Sequence, residues 1–182
     1  MGKARDIASG APAPAGVTST ELGYVDGVTS AIQTQINTKA NSSTPTLTGP
    51  ILIAPEERTT VSATAATGTI NFDAVTQGVL YYTTNASANW TLNVRGSSGA
   101  TLNSTLATGD SITVAFLVAQ GSTAYRHTAL TIDGNAQTVL WSGGTAPAAG
   151  NASSVDAYTF TIIKTAGTPT YTVFGAGPVK YA

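Results

Sequence analysis

His127 is the residue in this sequence with the widest chemical range, and it is the only histidine in a chain that has no cysteine. A single chain therefore cannot form a triad that needs histidine together with a thiolate, a site with several histidines, or a cysteine-based metal site. A threefold axis could gather three copies of His127 around a metal. Because the residue lies in a strand-like run, we instead expect a packed or surface histidine, and we predict no cofactor and no metal.

The carboxylates of the C-terminal two thirds of the chain do not form a recognisable catalytic pair. Glu56 and Glu57 are adjacent, and Asp110, Asp133 and Asp156 each stand beside a turn residue or at a strand start. Aspartate at such positions commonly accepts hydrogen bonds from turn backbone. We therefore predict turn roles for the three aspartates and no paired acid and base of the glycosidase type.

Two glycine-rich segments, residues 96–99 and 141–144, lie between predicted strands. A phosphate-binding loop needs a helix N-terminus directly after its glycines. We expect hairpin turns at both places, so the sequence predicts a chain that is not an enzyme.

The charge content excludes several classes of partner. Charged residues make up 9% of the 182 residues and the formal net charge is -1, against about 25% charged residues in an average soluble domain. Such a chain has no field that would attract nucleic acid or an anionic membrane. The longest apolar runs are strand-sized, so we also expect no membrane insertion.

Residues 1–17 combine proline with the first charges of the chain. Pro12 and Pro14 favour an extended path, and Lys3, Arg5 and Asp6 precede them. No apolar run follows these charges, so no signal peptide is expected. One interpretation is a floppy leader; we favour an extended arm that docks on a neighbouring protein.

Residues 18–40 carry the pattern of a short coiled-coil helix. Thr18 and Glu21 have the spacing of a capping box, and Gly23 and Gly27 weaken the helix that follows. An apolar seam with the spacing of a coiled coil runs along one side: Leu22, Val25, Thr29, Ile32 and Ile36. This pattern favours a trimer, although one amphipathic helix lying on its own domain would also fit.

Residues 41–58 are predicted to form a turn-rich linker with a short strand, and residues 59–182 show alternation of apolar and polar residues. This alternation predicts eight strands, with a ninth near residues 59–63. The sequence thus predicts a mainly β protein, with an antiparallel β-sandwich or jelly-roll-like C-terminal domain after the arm and helix. The residues predicted to face inward are Ile70, Phe72, Leu80, Tyr82, Trp90, Leu92, Val94, Ile112, Val114, Phe116, Val118, Leu130, Ile132, Val139, Trp141, Tyr158, Phe160, Ile162, Tyr171 and Val173.

The helical segment, residues 21–39, resembles a recurring segment of tail-fibre and other appendage proteins of tailed bacteriophages, and residues 43–49 resemble the linker that usually follows it. Residues 92–98, 110–116, 141–144 and 158–164 are similar to β domains of virion structural proteins from phages of marine bacteria, cyanophages among them. The resemblance implies a homotrimeric, non-enzymatic virion component attached by its N-terminus. The chain is much shorter than a typical long fibre.

Three functions remain open from the sequence. The first is a tail or neck fibre or spike whose β domain faces outward and attaches to the host surface, where it could bind a glycan. The second is a capsid decoration or head-fibre protein that stabilises the shell. The third is a module that binds or depolymerises glycans, for which Trp90 and Trp141 could stack on sugar rings.

Overall fold

The computed structural model describes residues 55–182 together with Thr18, Thr20 and Tyr24. The described residues are mainly β, as the sequence predicted. Thr20 is helical and Tyr24 lies in an exposed turn, while the rest of the predicted arm and helix is outside the described residues. The strands are β1 (Thr59–Ala65), β2 (Gly68–Asp73), β3 (Val79–Thr84), β4 (Trp90–Arg95), β5 (Ser111–Ala119), β6 (His127–Ile132), β7 (Asn135–Gln137), β8 (Val139–Trp141), β9 (Val155–Ala166) and β10 (Thr170–Tyr181), with a short helix α1 (Leu102–Thr105) and a 3₁₀ turn (Ser142–Gly144).

The strands form two mixed sheets. One has six strands in the order β1-β3-β5-β9-β10-β8, and the other has four in the order β2-β4-β6-β7. From β1 to β6 the chain alternates between the sheets, and each strand lies parallel to the strand two before it. The chain therefore winds through three turns, each of which adds one strand to each sheet.

The expected antiparallel arrangement is wrong for this part of the chain, and the corners between strands explain why. Only two residues separate β1 from β2, a length that usually makes a hairpin, but here they carry the chain into the other sheet. Gly68 enters β2 with a φ of 58°, which glycine adopts without strain. Successive corners then stack, because Ser87 N donates to Ala66 O at 3.1 Å.

Antiparallel pairing completes both sheets after the third turn. Strand β9 lies between β5 and β10 and is antiparallel to both. Strand β7 is antiparallel to β6, and the two are joined by Asp133 and Gly134, whose φ angles are 50° and 81°. Two central residues with positive φ are typical of a tight hairpin turn.

One buried hydrophobic cluster receives side chains from both sheets. Every residue predicted to face inward belongs to this cluster or packs against it, so that prediction is confirmed. Trp90 of β4 has no exposed surface, and its ring meets Phe116 and Tyr158 of the six-stranded sheet edge-on at centroid distances of 5.7 and 5.9 Å. Burial of such a side chain contributes about 2 to 3 kcal/mol.

The other side of the four-stranded sheet carries a row of hydrogen-bonded polar side chains. Asn93 Nδ2 donates to Asn71 Oδ1 at 2.9 Å. Asn93 Oδ1 accepts from Thr131 Oγ1 at 2.8 Å and from Gly134 N at 2.9 Å. Asn93 thus joins β2, β4, β6 and the β6–β7 turn.

We expect Asn93→Ala to lower the free energy of unfolding by about 2 kcal/mol, because loss of this largely buried amide would leave its three hydrogen-bond partners unpaired. The control is Asn71→Ala, which removes one hydrogen bond at an exposed position and should cost less than about 1 kcal/mol. Urea unfolding at one fixed protein concentration measures both. Equal losses in the two variants would show that Asn93 does not hold this row together.

Candidate functional sites

His127 is enclosed by the core of its own chain. It is 3% exposed, and its ring lies against Trp141, Tyr158 and Phe160 at centroid distances of 5.7, 6.0 and 5.1 Å. Burial lowers the pKa of His127 to about 4, so the ring is neutral at pH 7. The prediction of a packed histidine is confirmed, and an enclosed ring does not present itself to neighbouring copies for a shared metal.

Asp156 forms the most buried polar cluster among the described residues. Its carboxylate accepts from Gln120 Nε2 at 3.1 Å, from Asn151 N at 2.9 Å and from Asn151 Nδ2 at 2.7 Å. Gln120 also donates to Tyr125 O and accepts from Tyr125 N. The cluster therefore ties the β5–β6 connection to the start of β9, which is a structural role.

Asp133 closes the N-terminal end of α1. Its carboxylate accepts from Leu102 N at 2.7 Å and from Asn103 N at 3.2 Å. A tight turn does occur at the segment expected to be a hairpin, residues 96–99, with one antiparallel bridge between Ser97 and Ala100. It does not join two adjacent strands, because the loop leads into α1 and then to β5 in the other sheet. The helix donors that could have held an anion are already occupied by Asp133.

The segment at residues 141–144 is not a hairpin either. It leads from β8, through the 3₁₀ turn, toward β9, but β8 pairs with β10 and not with β9. Asp110 accepts from Ala107 N at 2.9 Å. This confirms the predicted turn role for Asp110. Asp133 stands in the β6–β7 turn but its carboxylate binds α1 instead, and Asp156 is a buried residue of β9.

Lys164 is a buried cation that the sequence analysis did not single out. Its Nζ donates to Asn103 O at 2.8 Å and Leu106 O at 2.7 Å, so it binds carbonyls at the end of α1. The sequence does carry a signal for this: Lys164 has an even number in β9, as do the inward-facing Tyr158, Phe160 and Ile162, and alternation therefore places it on the core side. Gln120 and Asn151 carried no comparable signal.

The described residues contain no group of three or more histidines and carboxylates that could hold a metal ion. Glu56 and Glu57 are exposed. Within residues 55–182, one ion pair occurs, between Arg95 Nε and Asp73 Oδ1 at 2.6 Å. In this region Glu56 and Glu57 are exposed to solvent, whereas His127, Lys164 and the aspartates described above take part in packing or in hydrogen bonds that hold the fold.

The two tryptophans do not form an open platform for sugars. Trp90 is fully buried, whereas Trp141 is half-buried: it packs against the core beside His127 and Phe160 and also lines the cleft that Leu140 and Phe174 form. The exposed large apolar side chains of the β region include Leu140 and Phe174, which line a cleft of about 390 Å³ on the six-stranded sheet. The exposed apolar surface is therefore concentrated on that sheet.

The predicted association and docking residues all lie outside the described residues. They are Leu22, Val25, Thr29, Ile32 and Ile36 for the seam and Lys3, Arg5, Asp6, Pro12 and Pro14 for the arm. Their roles stay predictions.

No family model, no curated protein and no solved structure matches the chain. Among the described residues, no helix has the length and apolar character needed to span a membrane.

We expect the stability of the protein to fall as the pH is lowered from 7 to 4, in part because of His127. In the unfolded chain this histidine takes up a proton near pH 6.5, whereas the folded chain resists protonation down to about pH 4. Over this window the unfolded state binds more protons, and the loss amounts to roughly 3 kcal/mol.

The measurement is the free energy of unfolding of the wild type and of His127→Phe across that pH range. Carboxylates titrate in both proteins, so the difference between the two slopes isolates His127. The variant should show the shallower slope. Parallel slopes would show that His127 is protonated in the folded protein as easily as in the unfolded chain.

Proposed function

We propose that the chain is a non-enzymatic structural subunit of a phage virion. In this proposal it is a homotrimeric tail or neck fibre or spike, docked by its N-terminal arm, with the β domain facing outward for attachment to the host surface. The observation that carries the proposal is the use of the versatile side chains. His127, Asp110, Asp133, Asp156 and Lys164 are all engaged in packing or in hydrogen bonds that hold the fold.

We also propose that the two mixed sheets stack as the layers of a β-sandwich. Edge-on contacts of Trp90 with the rings of Phe116 and Tyr158 support this, because they join the four-stranded sheet to the six-stranded one.

The trimer is proposed from the seam in residues 22–36. A helix softened by Gly23 and Gly27 is marginal by itself. Association of three copies would bury Leu22, Ile32 and Ile36 away from water and stabilise all three helices together.

Changing both Ile32 and Ile36 to Asp should weaken the trimer, because charges would meet at a desolvated seam. The matched control changes Gln33 and Asn37 to Asp, which adds the same charges at the same spacing but off the seam. Light scattering over a dilution series gives the mass of each. If both variants dissociate at the same concentration, the seam is not where the helices meet.

Deletion of residues 2–16 should leave a folded trimer that is absent from assembled particles. The proposed arm is stiffened by Pro12 and Pro14, which lowers the entropy lost on docking, and residues 66–173 supply a hydrophobic core of their own. Mass determination tests the first part, and quantification of the chain in purified particles tests the second. A truncated chain present at the normal copy number would show that attachment runs through the β domain, as in a capsid decoration protein.

A further inference from the structure

The six-stranded sheet has a second side, called here the outer face, that points away from the shared core. Side chains alternate along its central strands: in β5 and β9 the even-numbered residues from Val114 to Val118 and from Asp156 to Lys164 are buried. The odd-numbered residues therefore lie on the outer face. The register between strands extends this assignment across the whole sheet.

An apolar row crosses the outer face. Val61 pairs with Tyr81, Tyr81 with Leu117, Leu117 with Ala157, and Ala157 with Val179. These partners share one side of the sheet and span β1, β3, β5, β9 and β10. The two ends of the row are the most open, with Val61 63% and Val179 52% exposed.

The outer face is also uncharged. None of the residues that point outward from its six strands is Asp, Glu, Lys or Arg, and the remaining outward positions are mostly threonine, alanine and valine. The opposite side of the four-stranded sheet differs, since it carries the Asn71–Asn93–Thr131 row and the Asp73–Arg95 ion pair. The same domain thus has one outer surface with amide and charged side chains and one that carries no charge and includes an apolar row.

We propose that the outer face is covered by second copies of this chain. This deepens the trimer of the proposed function and rests on it for the number of copies. Six strands of these lengths, at about 4.8 Å spacing and 3.3 Å rise per residue, cover roughly 800 Å², which is the area each partner contributes to a standard stable interface. In a trimer, three such faces would meet around the axis.

The absence of charged side chains on the outer face indicates which kind of partner covers it. Nucleic acid and anionic surfaces are held by lysine and arginine, and a charged protein partner would meet no complementary charge here. Another copy brings a face that is equally uncharged, so no charge has to be buried unpaired when the two meet. Threonine hydroxyls such as that of Thr161, which already pairs with Thr113 Oγ1 at 3.0 Å, remain satisfied within the sheet.

The test uses one residue on each outer surface. Thr159 lies on the outer face in β9, and Thr69 lies on the polar surface of the four-stranded sheet; both are exposed threonines within strands. We expect Thr159→Lys to raise the concentration at which the trimer dissociates at least about tenfold, and Thr69→Lys to leave it unchanged. Light scattering over a dilution series provides the measurement.

The second readout is cysteine labelling, which is clean because the chain has no cysteine of its own. In Thr159→Cys the thiol should react with a maleimide at least about tenfold more slowly than in Thr69→Cys, after each rate is normalised to the urea-unfolded chain. The full chain is used throughout.

Each contrary result has a distinct meaning. A trimer in which both thiols react equally fast would overturn this inference and leave the proposed fibre subunit standing. A wild type that stays at the mass of one chain, 18.3 kDa, would contradict both proposals. A monomer in which Cys at position 159 is protected would show that the chain covers its own face, which also overturns the assignment to a second copy.

Discussion

The contact of Trp90 with Phe116 and Tyr158 is the interaction on which the rest of the β domain depends. Trp90 starts β4 in one sheet, whereas its two ring partners belong to β5 and β9 in the other. Because the chain changes sheet after every strand from β1 to β6, neither sheet can form without the other. A core contact between the sheets therefore stabilises all three turns of the chain together. Without it, the inner sides of strands β1 to β6 would not be packed.

The alternation of the chain between the sheets also explains why polar side chains are buried at the strand ends. Closing three windings produces corners and loop ends whose backbone groups need partners, and buried groups without partners are costly. Asp133 and Lys164 bind the two ends of α1, and Asp156 with Gln120 ties the connections near β5 and β9. Among residues 55–182, several side chains that might have served a reaction hold the fold in this way, and this is the observation behind the structural role proposed above.

Sequence reasoning predicted the sides of the strands but not their partners. Each apolar residue that alternation placed inward is buried or packs against the core, because burial of one side is a local property of each strand; the buried Asp156 and Lys164 of β9 were not among them. Strand direction depends on which distant strand is adjacent, and the pattern within one strand does not show this: the two residues between β1 and β2 carry the chain into the other sheet. Of the candidate sites, the packed state of His127 and the turn hydrogen bond of Asp110 were predictable. The contact of Asp133 with α1 and the roles of Gln120 and Asn151 arise only when distant loops meet.

The two outer surfaces of the domain differ in chemistry. The four-stranded sheet presents hydrogen-bonded amide and charged side chains, whereas the six-stranded sheet presents uncharged side chains and an apolar row. That asymmetry is expected of a subunit that presents one side to its own copies and another to its surroundings. The most direct test of the virion assignment is electron microscopy of purified phage particles labelled with an antibody raised against residues 55–182. Label at the tail or neck is the expected result. Label on the capsid would contradict the tail or neck position, and particles without label would contradict the virion assignment itself.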